Sequence, residues 1–162
     1  MDKILALDLG RMTGVCVGSC PKDVELKLWD LPISLGPMMD QFEGRLRGMI
    51  LRHQPLILAI ERPFVMFDRP TANSRKLTAT VFGQFAVCMK IVHQNNLFPV
   101  TYEVRTVRKR MVGRGNADED MVHRAAIRHG FNPATSHEAD AALVWLTTLE
   151  DLGDDQLVKE EI

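Results

Sequence analysis

The length and composition of the chain suit a single globular domain. Of its 162 residues, 46% are hydrophobic and 25% are charged, as in ordinary soluble proteins with one sizeable core. No apolar stretch approaches the ~18 residues needed to cross a membrane, and residues 1–4 lead directly into a strand-like segment. We therefore expect neither a membrane span nor a signal peptide. The three cysteines have no zinc-binding spacing, which favours buried free thiols in a reducing cytoplasm.

The charge is unevenly distributed. The formal net charge is −1, but residues 150–162 hold six acids and one base, so this end carries −5 and the rest of the chain +4. Five bases and no acids lie between Val104 and Asn116: Arg105, Arg108, Lys109, Arg110 and Arg114. A solvated helix face would explain such a cluster, but its single sign favours a surface that binds a polyanion.

The first half of the chain predicts three strands and a helix. Residues 3–8 form an apolar run, residues 13–18 follow a turn, and residues 24–31 alternate apolar and charged side chains. The short turns between them predict an antiparallel meander. Pro32 and Pro37 are expected to bracket a loop, and residues 38–53 have helical spacing.

The second half predicts a strand at residues 56–61, a long helix over Ala72–Asn95 and a strand at residues 99–102. Helices are expected over residues 104–111, 118–129 and 136–149, with Asn116 and Glu119 as a capping pair for the middle one. The acidic end is expected to be loose. This order predicts one α/β domain with a mixed sheet.

Four potential metal ligands stand at the ends of these elements. Asp8 and Glu61 each end an apolar strand, and His137 and Asp140 begin the last helix, three residues apart and hence on one face. Each has another explanation: Asp8 could simply terminate a strand, Glu61 could pair with Arg62, and the two helix residues could face solvent. If all four meet, their repulsion requires a cation.

Hard oxygen ligands with one imidazole suit Mg²⁺ or Mn²⁺. Two such ions can activate a water and stabilise the leaving oxygen of a phosphodiester. The chain has no nucleophile elbow, no phosphate loop and no glycine-rich dinucleotide fingerprint, so we expect no nucleotide cofactor. The pattern therefore favours metal-dependent hydrolysis.

With these residues in order, the chain resembles the RuvC family of Holliday-junction resolvases, particularly the shorter phage-type members, over about residues 1–150. The resemblance is carried by Leu7-Asp8-Leu9-Gly10 with Thr13-Gly14, Ile60-Glu61-Arg62-Pro63-Phe64, Asn73-Ser74 with Lys76-Leu77 and Gly83, residues 107–113, Gly115-Asn116-Ala117-Asp118, and His137-Glu138-Ala139-Asp140-Ala141-Ala142-Leu143.

This resemblance implies a ribonuclease H-like fold with a five-stranded mixed sheet flanked by helices. It implies a nuclease domain at residues 1–150, an acidic tail at residues 151–162, and a homodimer that makes paired nicks in four-way or branched DNA. Asp8, Glu61, His137 and Asp140 would be catalytic and metal-binding, with two Mg²⁺ or Mn²⁺ ions per site. The expected location is the cytoplasm of a bacterial cell or phage-infected host.

The resemblance also assigns DNA contacts. Phe64 would meet bases at the junction centre, and Arg108 matches a basic residue near the scissile strand. Glu119 departs from the pattern, because a phosphate-binding lysine is expected there; Lys109, Arg110 or Arg114 could compensate. Together with Arg69, Arg75, Lys76 and Arg105, these bases form the expected DNA-binding set.

Two other functions remain open. The chain could be a ribonuclease H-like nuclease acting on RNA or flap substrates, or a junction-binding protein with an inactive site. An actin-like ATPase would need more chain and a second phosphate loop. The helix over Ala72–Asn95 is the candidate dimer seam, with Val81, Phe85, Val87 and Met89 as its apolar residues, although core packing would also explain them.

Overall fold

A five-stranded mixed sheet forms the centre of the fold. The computed structural model describes residues 2–63 and 71–160, with side chains described through residue 153. The strands are β1 (Ile4–Asp8), β2 (Met12–Gly18), β3 (Glu25–Asp30), β4 (Ile57–Glu61) and β5 (Phe98–Tyr102), in the spatial order β3-β2-β1-β4-β5. The first three strands form the predicted antiparallel meander, and β4 and β5 run parallel to β1.

Helices cover both faces of this sheet. On one face lie α1 (Leu35–His53) and α2 (Ala72–Asn95); on the other lie α3 (Val104–Val112), α4 (Glu119–Arg128) and α5 (Ser136–Glu160). Strands buried on both sides must be apolar at every position, which explains the continuous apolar run at residues 4–7. Ile4 and Ala6 pack toward α5, whereas Leu5 and Leu7 pack toward α1 and α2.

The last helix is fixed firmly against the antiparallel strands. The indole of Trp145 is fully buried, and its Nε1 donates to the carbonyl oxygens of Ile4 at 3.2 Å and Gly18 at 3.3 Å. At the start of α5 the backbone almost touches β2: a Cβ added at Gly14 would lie 1.9 Å from the carbonyl oxygen of His137. Glycine at this position is therefore a condition for the helix to approach the sheet.

Three sequence-based expectations were wrong in detail. The first helix begins at Leu35, so Pro37 lies in its first turn, where the helix does not need a backbone N–H donor. The N-cap of α4 is Asp118 rather than Asn116, and its Oδ1 accepts from the backbone N of Met121 at 2.8 Å. The last helix does not end near residue 149 but continues through the acidic segment to Glu160.

All three cysteines are free thiols in the structure; Cys16 and Cys88 are buried, whereas Cys20 is partly exposed. Across residues 2–63 and 71–160, no helix combines the length and the apolar character that a membrane crossing requires.

Candidate active site

Two carboxylates lie side by side at one edge of the sheet. β1 and β4 pair in parallel, and the last residues in register are Leu7 and Ile60, directly before Asp8 and Glu61. Side chains alternate between the faces of a strand. Because Ala6 and Ala59 face the α5 side, Asp8 and Glu61 are directed to that side as well.

The first turn of α5 brings the histidine to the same place. The Nδ1 of His137 donates to the Oδ2 of Asp8 at 2.8 Å. The Asp8 side chain is only 15% exposed, whereas that of His137 is 40% exposed, so the carboxylate is mostly covered and the imidazole reaches solvent. The contact depends on Gly14, whose missing side chain leaves room for the His137 backbone.

Asp140 lies one helical turn further and is more deeply buried. Its side chain is 11% exposed, and its Oδ1 accepts from the Nη2 of Arg108 on α3 at 3.2 Å. A second guanidinium nitrogen, Nη1, donates to the carbonyl oxygen of Ala117 at 2.8 Å. Arg108 thus joins the segment before α4 to the start of α5.

The carboxylates influence each other's protonation. Burial raises the pKa of Glu61 well above its usual value, and the charges of Asp8 and Asp140 raise it further. Burial, helped by the charge of Asp8, raises the pKa of Asp140 to about 6. Burial also raises the pKa of Asp8, opposed by His137 and Arg108. The three groups therefore share one electrostatic environment, as groups close together in a poorly hydrated site must.

The pKa of the imidazole is raised as well, but by its neighbours and against the effect of burial. The hydrogen bond to Asp8 raises the pKa of His137, and the negative charges of Asp8, Asp140 and Glu119 act in the same direction. The charge of Glu119 reaches this cluster from the first turn of α4, although its side chain is exposed. From the sequence, Glu119 was expected only to cap a helix, at a position where the resemblance calls for a phosphate-binding lysine.

Glu61 has an unsatisfied atom within the cluster. Its Oε1 is buried and has no hydrogen-bond partner among the residues that the structure describes, which is costly for a carboxylate oxygen unless a cation or water meets it. In the described part of the chain, no three His, Cys, Asp or Glu side chains are arranged as a ready metal site. Asp8 is instead engaged by His137, and Asp140 by Arg108.

A buried polar contact supports the turn after Asp8. The carbonyl oxygen of Gly10 accepts from the Thr13 hydroxyl at 2.7 Å and from the Nε2 of Gln84 at 2.9 Å. Gln84 lies on α2 and is fully buried. Sequence reasoning missed this residue; the available signal was a lone glutamine on the inward stripe of α2, between Thr80 and Cys88.

Glu138 belongs to a different local structure. Its Oε2 accepts from the backbone nitrogens of Ala134 at 2.6 Å and Thr135 at 3.0 Å. The carboxylate therefore stabilises the turn before α5.

The basic residues divide into an exposed group and an engaged group. Arg75 and Lys76 at the start of α2, together with Arg105, Lys109 and Arg114, are exposed. Arg108 is directed inward. Arg110 contacts Asp151, and its Nε donates to the Oε2 of Glu150 at 3.0 Å. Phe64 and Arg69, both expected to contact DNA, lie outside the described residues.

The candidate dimer helix exposes different residues from those expected. Phe85, Val87 and Met89 pack against the buried cluster under α1 and α2. The large apolar side chains that α2 exposes are Leu77, at 59%, and Phe82, at 39%.

Comparison with known proteins identifies the fold. No family model and no curated protein sequence matches the chain. Among solved structures, RuvC of T. thermophilus in complex with a Holliday junction substrate is similar, with a TM-score of 0.69, 18% identity, and coverage of 91% of this chain and 92% of that one. A second structure, Thermus thermophilus RuvC, has a TM-score of 0.62, 18% identity, and coverage of 90% and 92%.

A eukaryotic protein shares the same architecture. The yeast mitochondrial Holliday junction resolvase Ydc2 has a TM-score of 0.62 and 13% identity, with coverage of 93% of this chain and 81% of that one. The chain therefore has the ribonuclease H-like fold of the RuvC-type resolvases, as the sequence motifs implied.

Proposed function

We propose that this protein is a metal-dependent endonuclease that resolves Holliday or other branched DNA junctions by paired phosphodiester hydrolysis. The observation that carries the proposal is the meeting of Asp8 and Glu61, from adjacent parallel strands, with His137 and Asp140 from one face of α5. This meeting occurs in a fold shared with RuvC in complex with a Holliday junction.

The donor set fits a divalent cation. Three carboxylates and one imidazole are suitable ligands for Mg²⁺ or Mn²⁺, and the buried Oε1 of Glu61 has no other partner. Asp8, Glu61 and Asp140 would be the residues that hold the ions. Such ions, when bound, lower the pKa of the attacking water and stabilise the leaving oxygen.

The chain's own residues orient the reacting groups. His137 is fixed by its hydrogen bond to Asp8. Its side chain is 40% exposed, so the imidazole can also contact a water. We infer that its imidazole ligates an ion or orients the attacking water. Burial of Asp140 and Glu61 keeps bulk water from solvating their charges, which strengthens every electrostatic contact that they make.

Junction DNA would lie along the exposed arginine and lysine side chains of the protein. The proposed phosphate contacts are Arg75, Lys76, Arg105, Arg108, Lys109, Arg110 and Arg114, with Arg69 and the base-contacting Phe64 in the segment between β4 and α2. Such contacts position the backbone and recognise its shape rather than its sequence. Affinity for DNA should therefore fall steeply as salt increases.

A homodimer would place two such sites on one junction. The support for this is the exposed pair Leu77 and Phe82 on α2, because large apolar side chains in one region of a helix favour contact with a partner. Two-fold symmetry would then direct the two nicks to opposed strands.

The assignment of the carboxylates is tested with Asp8→Asn and Asp140→Asn. Each substitution keeps the side-chain shape but removes the charge needed to hold an ion. We expect both variants to bind a synthetic four-way junction normally and to nick it at an undetectable rate with Mg²⁺ or Mn²⁺. Asp40→Asn, at an exposed position on α1, is the matched control and should cut normally. Full cleavage by both site variants would reject the assignment.

A further inference from the structure

Arg108 contacts the carboxylate cluster from inside the protein. Its side chain is 22% exposed, and its two hydrogen bonds go to the Ala117 carbonyl oxygen and the Asp140 carboxylate. The Nε of the same guanidinium is buried and has no hydrogen-bond partner within residues 2–63 and 71–153. An arginine placed only to bind DNA would present these donors to solvent, so its inward orientation calls for another role.

The two hydrogen bonds are of unequal quality. The bond to the Ala117 carbonyl oxygen is 2.8 Å long, whereas the single bond to the Oδ1 of Asp140 is 3.2 Å. A strong arginine–carboxylate pair forms two parallel bonds of about 2.7–2.9 Å. The backbone contact therefore anchors the guanidinium, and the longer contact with Asp140 is the one for which an incoming cation would compete.

The charge of Arg108 lies against a carboxylate of the cluster. Its Nη2 is 3.2 Å from the Oδ1 of Asp140, whose side chain is only 11% exposed, and a charge so buried needs a positive partner. A positive charge in this position performs the electrostatic task that a bound cation would perform. A guanidinium and a divalent ion cannot both occupy the same face of the Asp140 carboxylate.

We propose that Arg108 is the resident counter-ion of this cluster, a positioning residue that holds Asp140 until a divalent ion displaces it. The inference rests on the proposed function, because it requires that an ion binds at Asp8, Glu61 and Asp140. Once displaced, the Nη2 group stays near the carboxylates because Nη1 still donates to the Ala117 carbonyl oxygen. The Nη2 group then becomes available to a DNA phosphate. Arg108 thus opposes ion binding in free protein.

The test measures ion binding in the absence of DNA. Manganese chloride is titrated calorimetrically into wild type, Arg108→Gln, Arg108→Lys and Arg128→Gln. Removal of the competing charge should tighten Mn²⁺ binding by Arg108→Gln on the order of tenfold. Arg108→Lys retains the charge without the forked geometry and should fall between Arg108→Gln and wild type. Arg128→Gln removes an exposed charge from the last turn of α4 and should bind Mn²⁺ as wild type does.

A second readout follows the protein without metal. In the presence of EDTA, Arg108→Gln should have a lower thermal midpoint than wild type, because Asp140 has lost its counter-ion, and added Mn²⁺ should restore the midpoint. If Arg108→Gln does not fold, the position of Arg108→Lys relative to wild type decides the outcome.

Two failures are distinguishable. If wild type binds no Mn²⁺ above the level of Asp140→Asn, the proposed metal site itself is wrong. If wild type binds Mn²⁺ but Arg108→Gln, or the folded Arg108→Lys in its place, binds it equally or more weakly, the counter-ion role is overturned while the proposed function stands.

Discussion

The Nδ1 of His137 lies 2.8 Å from the Oδ2 of Asp8, although 129 residues separate them in the chain. This bond ties the first turn of the last helix to the end of the first strand. It forms because Gly14 on the neighbouring strand lets the helix backbone approach the sheet. The geometry of the whole candidate site depends on this junction between α5 and the sheet.

Substitution of Gly14 by alanine should therefore damage both stability and the site. The new Cβ would lie 1.9 Å from the carbonyl oxygen of His137, so the helix must shift away from β2. We expect a loss of at least about 2 kcal/mol in the free energy of unfolding, measured by urea denaturation, and a large loss of Mn²⁺ affinity in the folded fraction.

The control for Gly14 is a glycine with open space around it. Gly48 lies on α1, and a Cβ added there meets nothing within 4 Å. Gly48→Ala should stabilise the protein by up to about 1 kcal/mol through helix propensity. Equal effects of the two substitutions would show that the close approach of α5 to β2 is not important.

Position 137 should tolerate substitution by a carboxylate residue better than substitution by an apolar one. His137→Ala removes the contact with Asp8 and one candidate ligand, and we expect junction nicking to fall by at least about a hundredfold. His137→Asp supplies an oxygen ligand and should retain metal-dependent nicking, but it adds a negative charge to the cluster. Its thermal midpoint in EDTA should therefore drop and recover with Mg²⁺.

Glu138→Gln separates this effect from general disruption of the helix start. Glu138 accepts two backbone hydrogen bonds in the turn before α5, so its substitution should lower stability while leaving Mn²⁺ affinity unchanged. A fully active His137→Ala variant would contradict the role given to the imidazole.

The metal-free protein should lose stability as the pH rises from about 4 to about 6. The pKa of Asp140 is 3.8 in its ordinary state and about 6 in the fold. Between these values the native state binds more protons than the unfolded state, so the stabilising contribution is complete below pH 3.8 and is lost as pH rises through about 6. A shift of this size corresponds to roughly 3 kcal/mol.

Urea denaturation in EDTA across this pH range measures the effect. Asp140→Asn should flatten the dependence of stability on pH. In wild type, saturating Mg²⁺ should make stability rise with pH, because an ion binds only the deprotonated carboxylate. A flat profile for wild type in EDTA would show that the carboxylates are not in one poorly hydrated cluster.

The acidic end of α5 should weaken DNA binding. Glu150 and Asp151 both contact Arg110 on α3, and the Tyr102 hydroxyl donates to Asp151 at 2.7 Å. The double substitution Glu150→Gln with Asp151→Asn removes two negative charges beside the exposed bases. We expect junction affinity to rise several-fold at low salt, with a steeper dependence of affinity on salt.

Asp40→Asn serves again as a control, since it removes one exposed acid from α1, which lies on the face of the sheet opposite to α5. Junction affinity measured by fluorescence anisotropy at several salt concentrations distinguishes the variants. An unchanged affinity and slope for the double variant would dismiss an electrostatic effect of the α5 acids on DNA.

The order and type of the elements were predictable because each strand is a short apolar run and each long helix has a continuous apolar stripe. Asp8 and Glu61 were predictable as neighbours because both end buried strands. Pro37 misled because proline normally marks a loop, yet a first helical turn accepts it. The extension of α5 to Glu160 was missed because charge indicated solvent exposure, and exposure does not exclude helix.

The contacts that position the site were less predictable. Inward orientation of Arg108, full burial of Gln84 and the close approach at Gly14 each depend on how two elements pack. A single sequence records which side chains are polar or small, but not which distant backbone or carboxylate they meet. The same is true of α2, where Phe85 and Met89 pack inward and Leu77 and Phe82 are exposed.

Junction resolution by this protein is tested most directly by cleavage of a synthetic four-way junction, end-labelled on each strand in turn, with purified protein and Mg²⁺. We expect paired nicks at symmetric positions on two opposed strands, with linear duplex, flap and RNA–DNA hybrid left uncut under the same conditions. No metal-dependent cleavage of the junction, or preferential cleavage of the flap or the hybrid, would overturn the proposed function.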